Sequence, residues 1–326
     1  MANILVTGGA GYIGSHTCKA LHAAGHIPIV VDNLGNGHRD AVRWGPFEEG
    51  DIRDISRMDE IFATHKPDAV IHFAGLIEVS RSMSNPQSFW DNNVEGTRIL
   101  LSTMENAGVD KIVFSSTAAV YGTPDTVPIS ESAATTPVNP YGETKLAIEG
   151  MLAESAAQRG LAYVALRYFN AAGADPAREL GERHNPETHL IPLVLQVALG
   201  QRDEILVFGN DYDTPDGTAV RDYVHVCDLA DAHIAALRQL ETNPGSLVAN
   251  LGTGTGYSVR EIISACRKVT GHPIPHRDAP RRAGDPAQLV AAPDLVQERL
   301  GWEARNSDLE TVIQTAWDWH QSQTEA

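Results

Sequence analysis

Tyr141 and Lys145 stand four residues apart in Pro140-Tyr-Gly-Glu-Thr-Lys145, a stretch with helical spacing, so both side chains lie on one helix face. A free phenol titrates at about 10. An ammonium beside it, together with a positively charged ring bound alongside, favours the phenolate and draws its pKa toward working pH, which makes Tyr141 a candidate general base and Lys145 its tuning partner. Upstream, Ser115-Ser116-Thr117 closes the apolar run Lys111 to Phe114, and Thr117 supplies a hydroxyl to orient a substrate oxygen. A tyrosine packed beside an exposed lysine gives the same spacing with no chemistry attached. What the pair means depends on the elements that hold it.

Those elements begin at the N-terminus, where apolar Asn3-Ile-Leu-Val6 runs into Thr7-Gly-Gly-Ala-Gly-Tyr-Ile-Gly14 and reads as strand, glycine turn, helix. Gly8, Gly11 and Gly14 fall where a tight turn and a close backbone approach to a pyrophosphate need no Cβ. The helix opening at Tyr12 and Ile13 aims free N–H groups at that phosphate. Ile27 to Val31 forms the next strand and delivers Asp32, 18 residues after Gly14, the position of a ribose hydroxyl acceptor. Its charge would repel a 2′-phosphate, so the cofactor is expected to be NAD and not NADP. Asn33 opens a polar loop suited to the adenosine ribose. Asp51 and Ile52 read equally as adenine contacts or as a helix cap with its neighbour. Asn93 reads as a cofactor contact or as a backbone hydrogen-bonding residue.

Ala69 to Gly75 is an unbroken apolar strand of the kind buried on both faces of a parallel sheet, with Phe73-Ala74-Gly75 at its cofactor edge. Continued alternation of strand and helix patterns predicts an α/β fold, a Rossmann-type doubly wound parallel sheet with a smaller C-terminal α/β substrate lobe. The boundary is set at an NAD-binding domain of 1–172, with segments of about 222–252 returning to it, and a substrate lobe of 173–326. Gly252-Thr-Gly-Thr-Gly256 reads as a strand-to-helix turn with Ser258 as N-cap, because no lysine follows it as in a triphosphate loop.

The 326 residues are 42% apolar with a formal net charge of −17, which argues against a nucleic-acid or anionic-membrane binder. Three cysteines with no C-x-x-C pair, no leader and no long apolar run predict a reduced, cytoplasmic setting. Thirteen histidines are scattered, and His184 with His189 lacks a third ligand at metal spacing, so no metal is expected.

With these motifs the chain resembles the extended branch of the short-chain dehydrogenase/reductase superfamily, and within it the nucleotide-sugar 4-epimerases. The resemblance is carried by Thr7 to Gly14, His72-Phe-Ala-Gly75, Phe114-Ser-Ser-Thr117, Val120-Tyr-Gly122, Pro140-Tyr-Gly142, Leu166-Arg-Tyr-Phe-Asn170, Phe208-Gly-Asn-Asp-Tyr212, Arg221-Asp-Tyr-Val-His225 and Arg281-Arg-Ala-Gly-Asp285. It implies reversible conversion of UDP-glucose and UDP-galactose through transient oxidation at sugar carbon 4, with Thr117, Tyr141 and Lys145 as catalytic residues. It further implies cofactor contacts at Tyr12, Ile13, Phe73, Ala74, Gly75, Asn93, Ser115 and Tyr168. For the substrate it implies Asn170, His189, Leu190, Leu206, Phe208, Arg221, Arg282, Asp285 and Leu289, the two arginines on the diphosphate. A homodimer through helices near residues 95 and 150 is implied as well. Ile77 stands where many relatives have Lys, His189 where Asn is usual, and Leu289 where Tyr or Cys is usual; the small Leu289 predicts room for an N-acetylated sugar. Two other readings are a nucleotide-sugar 4,6-dehydratase, disfavoured because Ala118-Ala119 follows Thr117 where that family has Asp-Glu, and an NAD-binding regulator without catalysis.

Overall fold

The computed structural model describes residues 1–282 and 284–324. In chain order the strands are β1 (Asn3–Thr7), β2 (Ile27–Asp32), β3 (Phe47–Glu49), β4 (Ala69–His72), β5 (Lys111–Thr117) and β6 (Ala162–Tyr168). They continue as β7 (Asn170–Ala172), β8 (Ile205–Phe208), β9 (Val220–His225), β10 (Ser246–Leu251), β11 (Gly256–Ser258), β12 (His276–Ala279) and β13 (Gln288–Leu289). Seven of them form one parallel sheet in the order β10-β6-β5-β4-β1-β2-β3. The strand order reverses between β1 and β4, and a crevice at such a switch point is where open α/β sheets bind ligands.

Every residue of β4 and β6 is buried, as the unbroken apolar runs require when helices cover both faces. Strand pleating sends alternate side chains to opposite cores. Ile4, Val6, Ile71, Val113 and Val164 face one core with Cys18, Leu21, Leu229 and Leu237 from helices Tyr12–Ala23 and Val226–Thr242. Leu5, Val70, Ile112 and Phe114 face the other with Met58, Ile61, Leu100, Ile148 and Leu152.

A separate core gathers Ile191, Val194, Leu195, Val207, Tyr223, Ile262, Ile313 and Trp317. It lies under the small sheet of β7, β9, β11 and β13 and the β8–β12 pair. The chain crosses between the two cores more than once. Helix Val226–Thr242 and β10 join the large sheet, and so do Val296 and Trp302, which pack in its first core and lie beyond the 222–252 stretch expected to return. Trp302 is drawn there because its Nε1 donates to the Asp228 carbonyl at 2.8 Å. Among the described residues no helix is long and apolar enough to cross a membrane.

Candidate active site

The glycine turn after β1 is shaped by the protein's own backbone. Gly8 has φ +71°, and a Cβ there would stand 2.6 Å from the Ala74 nitrogen at the end of β4. A Cβ on Gly14 would stand 2.2 Å from the Gly8 carbonyl oxygen. Gly11 is different: its Cβ would meet only that oxygen, at 3.2 Å, and Gly11 caps helix Tyr12–Ala23 with no side-chain bond and no acidic residue in the first turn. Gly8 and Gly14 let strand ends and helix close on one another, and Gly11 keeps the helix N-terminus clear for an anion. Ile13 follows in the first turn, and Tyr12 donates its hydroxyl to the Gly173 carbonyl at 2.6 Å.

Asp32 ends β2, where Ala10 and Leu34 backbone N–H groups bond its two oxygens at 3.0 and 2.8 Å. Burial raises its pKa, against those hydrogen bonds. Asn33 donates to Asp51 at 3.1 Å, and Arg53 grips the same carboxylate at 2.8 and 2.7 Å, so Asp51 is held well below the usual carboxylate range. The cap of helix Ile55–His65 is Asp54 and not Asp51. Ile52 is buried against Gly96. The Asn93 amide, in a π-helical turn over Trp90–Glu95, bonds both the N–H and the C=O of Leu76 at 2.7 and 3.0 Å and reaches Thr144 at 3.3 Å. It secures the loop that follows Gly75. Phe73 packs 4.6 Å from the His233 ring, and the Tyr168 and Ser115 hydroxyls bond each other.

Tyr141 and Lys145 lie one turn apart on helix Pro140–Arg159, whose N-cap Asn139 accepts from Gly142 N–H. Lys145 Nζ donates to the Ser115 carbonyl at 2.8 Å and lies 5.9 Å from the Tyr141 ring centroid and 4.9 Å from that of Phe114. Thr117 accepts from Ala119 N–H at 3.1 Å and starts the turn Ala118–Tyr121. The expected downward shift of the phenol is absent from the protein alone. Burial pushes Tyr141 up to about 12, only partly offset by Thr117, and burial brings Lys145 down to about 8. Burial therefore dominates at the phenol, and Tyr141 stays protonated in the protein alone.

One turn further along the same helix, Glu149 forms a buried ion pair with Arg167 of β6, and Ser116 donates to Glu149 at 2.5 Å. Arg167 also donates to Tyr121 at 3.0 Å, whose hydroxyl reaches Asn250 of β10 at 2.7 Å. Sequence reading missed this network, although Tyr141, Lys145 and Glu149 share one helix face at a spacing of four.

On the other lobe, Asn170 begins β7, Leu190 begins helix Leu190–Ala198, and Leu206 and Phe208 lie in β8. Arg282 stacks over Phe208 with its guanidinium carbon 4.1 Å from the ring centroid. Arg221 is paired with Asp285 and donates to the Val220 and Pro286 carbonyls at 2.7 and 2.8 Å. Leu289 is the backbone partner of Arg221 and packs against the Ala118–Tyr121 cluster that follows Thr117. The Thr253 and Gly254 N–H groups are taken by the Asp222 carboxylate at 2.9 to 3.1 Å, which closes that glycine loop to phosphate, and Ser258 forms a capping box with Glu261. His189 is turned toward Glu182 and Glu187, and these carboxylates, with His184, gather into one cluster. The pattern Glu182-x-His-x-x-Glu-x-His189 was the signal for it.

The fold and the groups at its edge define a dinucleotide-dependent Rossmann protein. The model of the NAD dependent epimerase/dehydratase family matches residues 4–252, and the chain belongs to that family. Its cofactor is NAD, and the open helix N-terminus at Gly11 with the Asp32 carboxylate at the end of β2 fits a pyrophosphate and an adenosine ribose. The UDP-glucose 4-epimerase of Halalkalibacterium halodurans is 56% identical over 317 residues, covering 97% of this chain and 95% of that one. The crystal structure of UDP-glucose 4-epimerase from Brucella ovis in complex with NAD has TM-score 0.95 and 51% identity, covering 98% of each chain. That of UDP-glucose-4-epimerase from Stenotrophomonas maltophila with bound NAD and formylated UDP-arabinopyranose has TM-score 0.97 and 44% identity, covering 100% of this chain and 99% of the other.

Proposed function

We propose that this chain interconverts UDP-glucose and UDP-galactose by inverting sugar carbon 4, with no net change of redox state. The observation that carries the reading is a continuous line of contact. Tyr141 adjoins both Lys145 and Thr117, the turn after Thr117 touches Leu289, and Leu289 pairs with Arg221 beside Asp285. A proton-transfer group and an anion anchor are thereby linked through one run of packed residues.

When bound, NAD supplies the hydride store and, in its oxidised form, a positive charge beside the phenol. Tyr141 takes the proton of the sugar 4-hydroxyl and returns it, while Thr117 orients that oxygen. Burial alone keeps Tyr141 protonated, so the base is idle until positive charge lies next to it. Gly8, Gly11, Gly14 and Asp32 hold the dinucleotide, with Lys145 between Tyr141 and the Ser115 carbonyl. Arg282 and Arg221 grip the diphosphate, and Phe208, Leu206, Asn170, Leu190 and Asp285 surround the nucleoside. The sugar itself must stay loosely held, since a hexose fixed in one pose cannot present both faces. Leu289 leaves space that extends the reading to the N-acetylated pair. The dividing line between cofactor and substrate lobes falls at residues 172 and 173. The protein works in galactose metabolism as a cytoplasmic homodimer joined through helices near residues 95 and 150, beside exposed Met83 and Trp90.

The test is incubation of purified protein with UDP-galactose and no added NAD. UDP-glucose is the expected product, and a stable 4-keto-6-deoxy sugar overturns the reading. Tyr141→Phe should keep its cofactor and lose turnover by roughly 100-fold or more. Unchanged turnover removes Tyr141 from the mechanism. The same incubation with UDP-N-acetylgalactosamine checks the wider substrate range.

A further inference from the structure

Between β7 and helix Leu190–Ala198 the chain runs without regular structure, yet four side chains in it converge. Glu182, His184, Glu187 and His189 each offer one ligand-type atom, and these atoms all lie within 4.8 Å of one another. Glu182 Oε1 is 3.1 Å from His184 Nδ1 and 2.8 Å from His189 Nδ1. Glu187 Oε1 is 2.9 Å from His189 Nδ1, and its Oε2 is 3.7 Å from His184 Nδ1. Both carboxylate side chains are only 6% exposed.

We propose that these four residues form a closed, structural site for a divalent transition cation of the zinc class, which clamps residues 182–189 ahead of helix Leu190–Ala198. Imidazole nitrogen and carboxylate oxygen bind zinc at about 2.0–2.2 Å, so neighbouring ligand atoms in a tetrahedron stand roughly 3.3–3.5 Å apart. Three separations among the inward-facing atoms, 2.8, 3.1 and 3.7 Å, bracket that value.

Hydrogen bonding alone leaves the cluster unbalanced. His189 Nδ1 is shared between two carboxylates, while His184 Nδ1 is buried and makes no hydrogen bond despite facing the same oxygens. A cation at the centre satisfies all four atoms.

The surroundings orient the ligands as second partners do in built metal sites. Thr188 and His189 N–H groups hold Glu187 Oε1 at 2.7 and 2.8 Å, which leaves Oε2 turned inward. Trp319 Nε1 donates to the Glu182 carbonyl at 3.3 Å, and the Tyr12 ring stands edge-on to His184 at 6.5 Å. Two nitrogens and two oxygens suit zinc over magnesium or calcium, which take oxygen alone. The four ligands leave no open position, so the role is structural.

The test is calorimetric titration of the chelator-stripped full chain with zinc chloride, with magnesium chloride as control. One zinc per chain is expected, with no heat from magnesium and a rise in thermal midpoint on zinc addition. His184→Gln should weaken zinc by roughly 100-fold or more and abolish the rise. Cobalt(II) should give the strong visible absorption of a tetrahedral site, lost in the same variant. If His184→Gln does not fold, Glu187→Gln serves in its place. Absence of stoichiometric zinc, native-like zinc affinity in a folded variant, or a weak octahedral cobalt spectrum each overturns the site in favour of a histidinium–carboxylate cluster.

Discussion

Arg221 and Arg282 are expected on one diphosphate, yet they meet different neighbours. Arg221 is tied to Asp285 and to backbone carbonyls, whereas Arg282 lies on the Phe208 ring, and no ion pair of it is found among the described residues. Hydrogen bonds to charged groups contribute about 1.5–3 kcal/mol. Arg282→Ala should therefore raise KM and lower kcat/KM by roughly 10- to 100-fold, while its urea midpoint stays at the native value. Arg221→Ala leaves Asp285 and the carbonyls without their donor, and should cost about 1–3 kcal/mol of stability as well. Steady-state kinetics and urea titration of both variants check the split, and equal effects on both readouts contradict it. The types and spacing of Tyr141, Lys145 and Thr117 were legible because they follow helix and strand periods. Their protonation was not, since it is set by burial under β5 and β6. Glu149 and Arg167 escaped notice for a related reason: charged residues read as solvent-facing until a partner across the sheet is known.

At the scale of the element, the glycine turn divides into two functions. A methyl on Gly14 would stand 2.2 Å from a backbone oxygen that cannot move without opening the turn, whereas one on Gly11 needs only a small displacement at 3.2 Å. Overpacking of this kind costs about 1–3 kcal/mol. Gly14→Ala should lower the urea midpoint accordingly, while Gly11→Ala should stay near native stability and lose affinity for NAD, measured by cofactor retention through gel filtration. The strands and helices were readable because apolar runs and 3.6-residue stripes report directly on burial. Helices Leu190–Ala198 and Val226–Thr242 both carry such stripes. The π-helical turn at Trp90–Glu95 had no such signal, since its six residues are too short a stretch for a shifted apolar period to stand out. The Glu182 to His189 cluster lies in an irregular loop, where the Glu-x-His-x-x-Glu-x-His pattern marks ligand-type residues without fixing how close they come.

For the whole molecule, acid stability follows from histidines kept neutral inside it. Burial lowers His16 to about 4, His72 to about 3 and His233 to about 4, and His225 and His320 are lowered too. His72 shows how: its ring nitrogens bond Thr7 and Thr97 at 2.6 and 2.8 Å between β1, β4 and the following helix. Below about 6.5 the unfolded chain takes up protons that the folded chain refuses, so stability is full above that pH and falls as pH drops toward 4. In the metal-free chain His184 and His189, raised to about 9 and 10, are protonated in both states well below 6.5, so their stabilisation is fully present there and adds no slope. The expected slope is about 1.4 kcal/mol per pH unit for each neutral histidine. Urea unfolding between pH 7 and 4.5 measures it, and a flat profile contradicts it.

The strand that finishes the large sheet, β10, ends at Leu251, about 80 residues after the end of β6 beside which it lies. During synthesis at about 5–20 residues per second, β6 waits roughly 4–16 seconds with its outer edge unpaired. An open strand edge is a template for pairing with other chains. For that interval the nascent protein depends on whatever shields the edge at the ribosome, and a chain truncated after residue 172 never closes it.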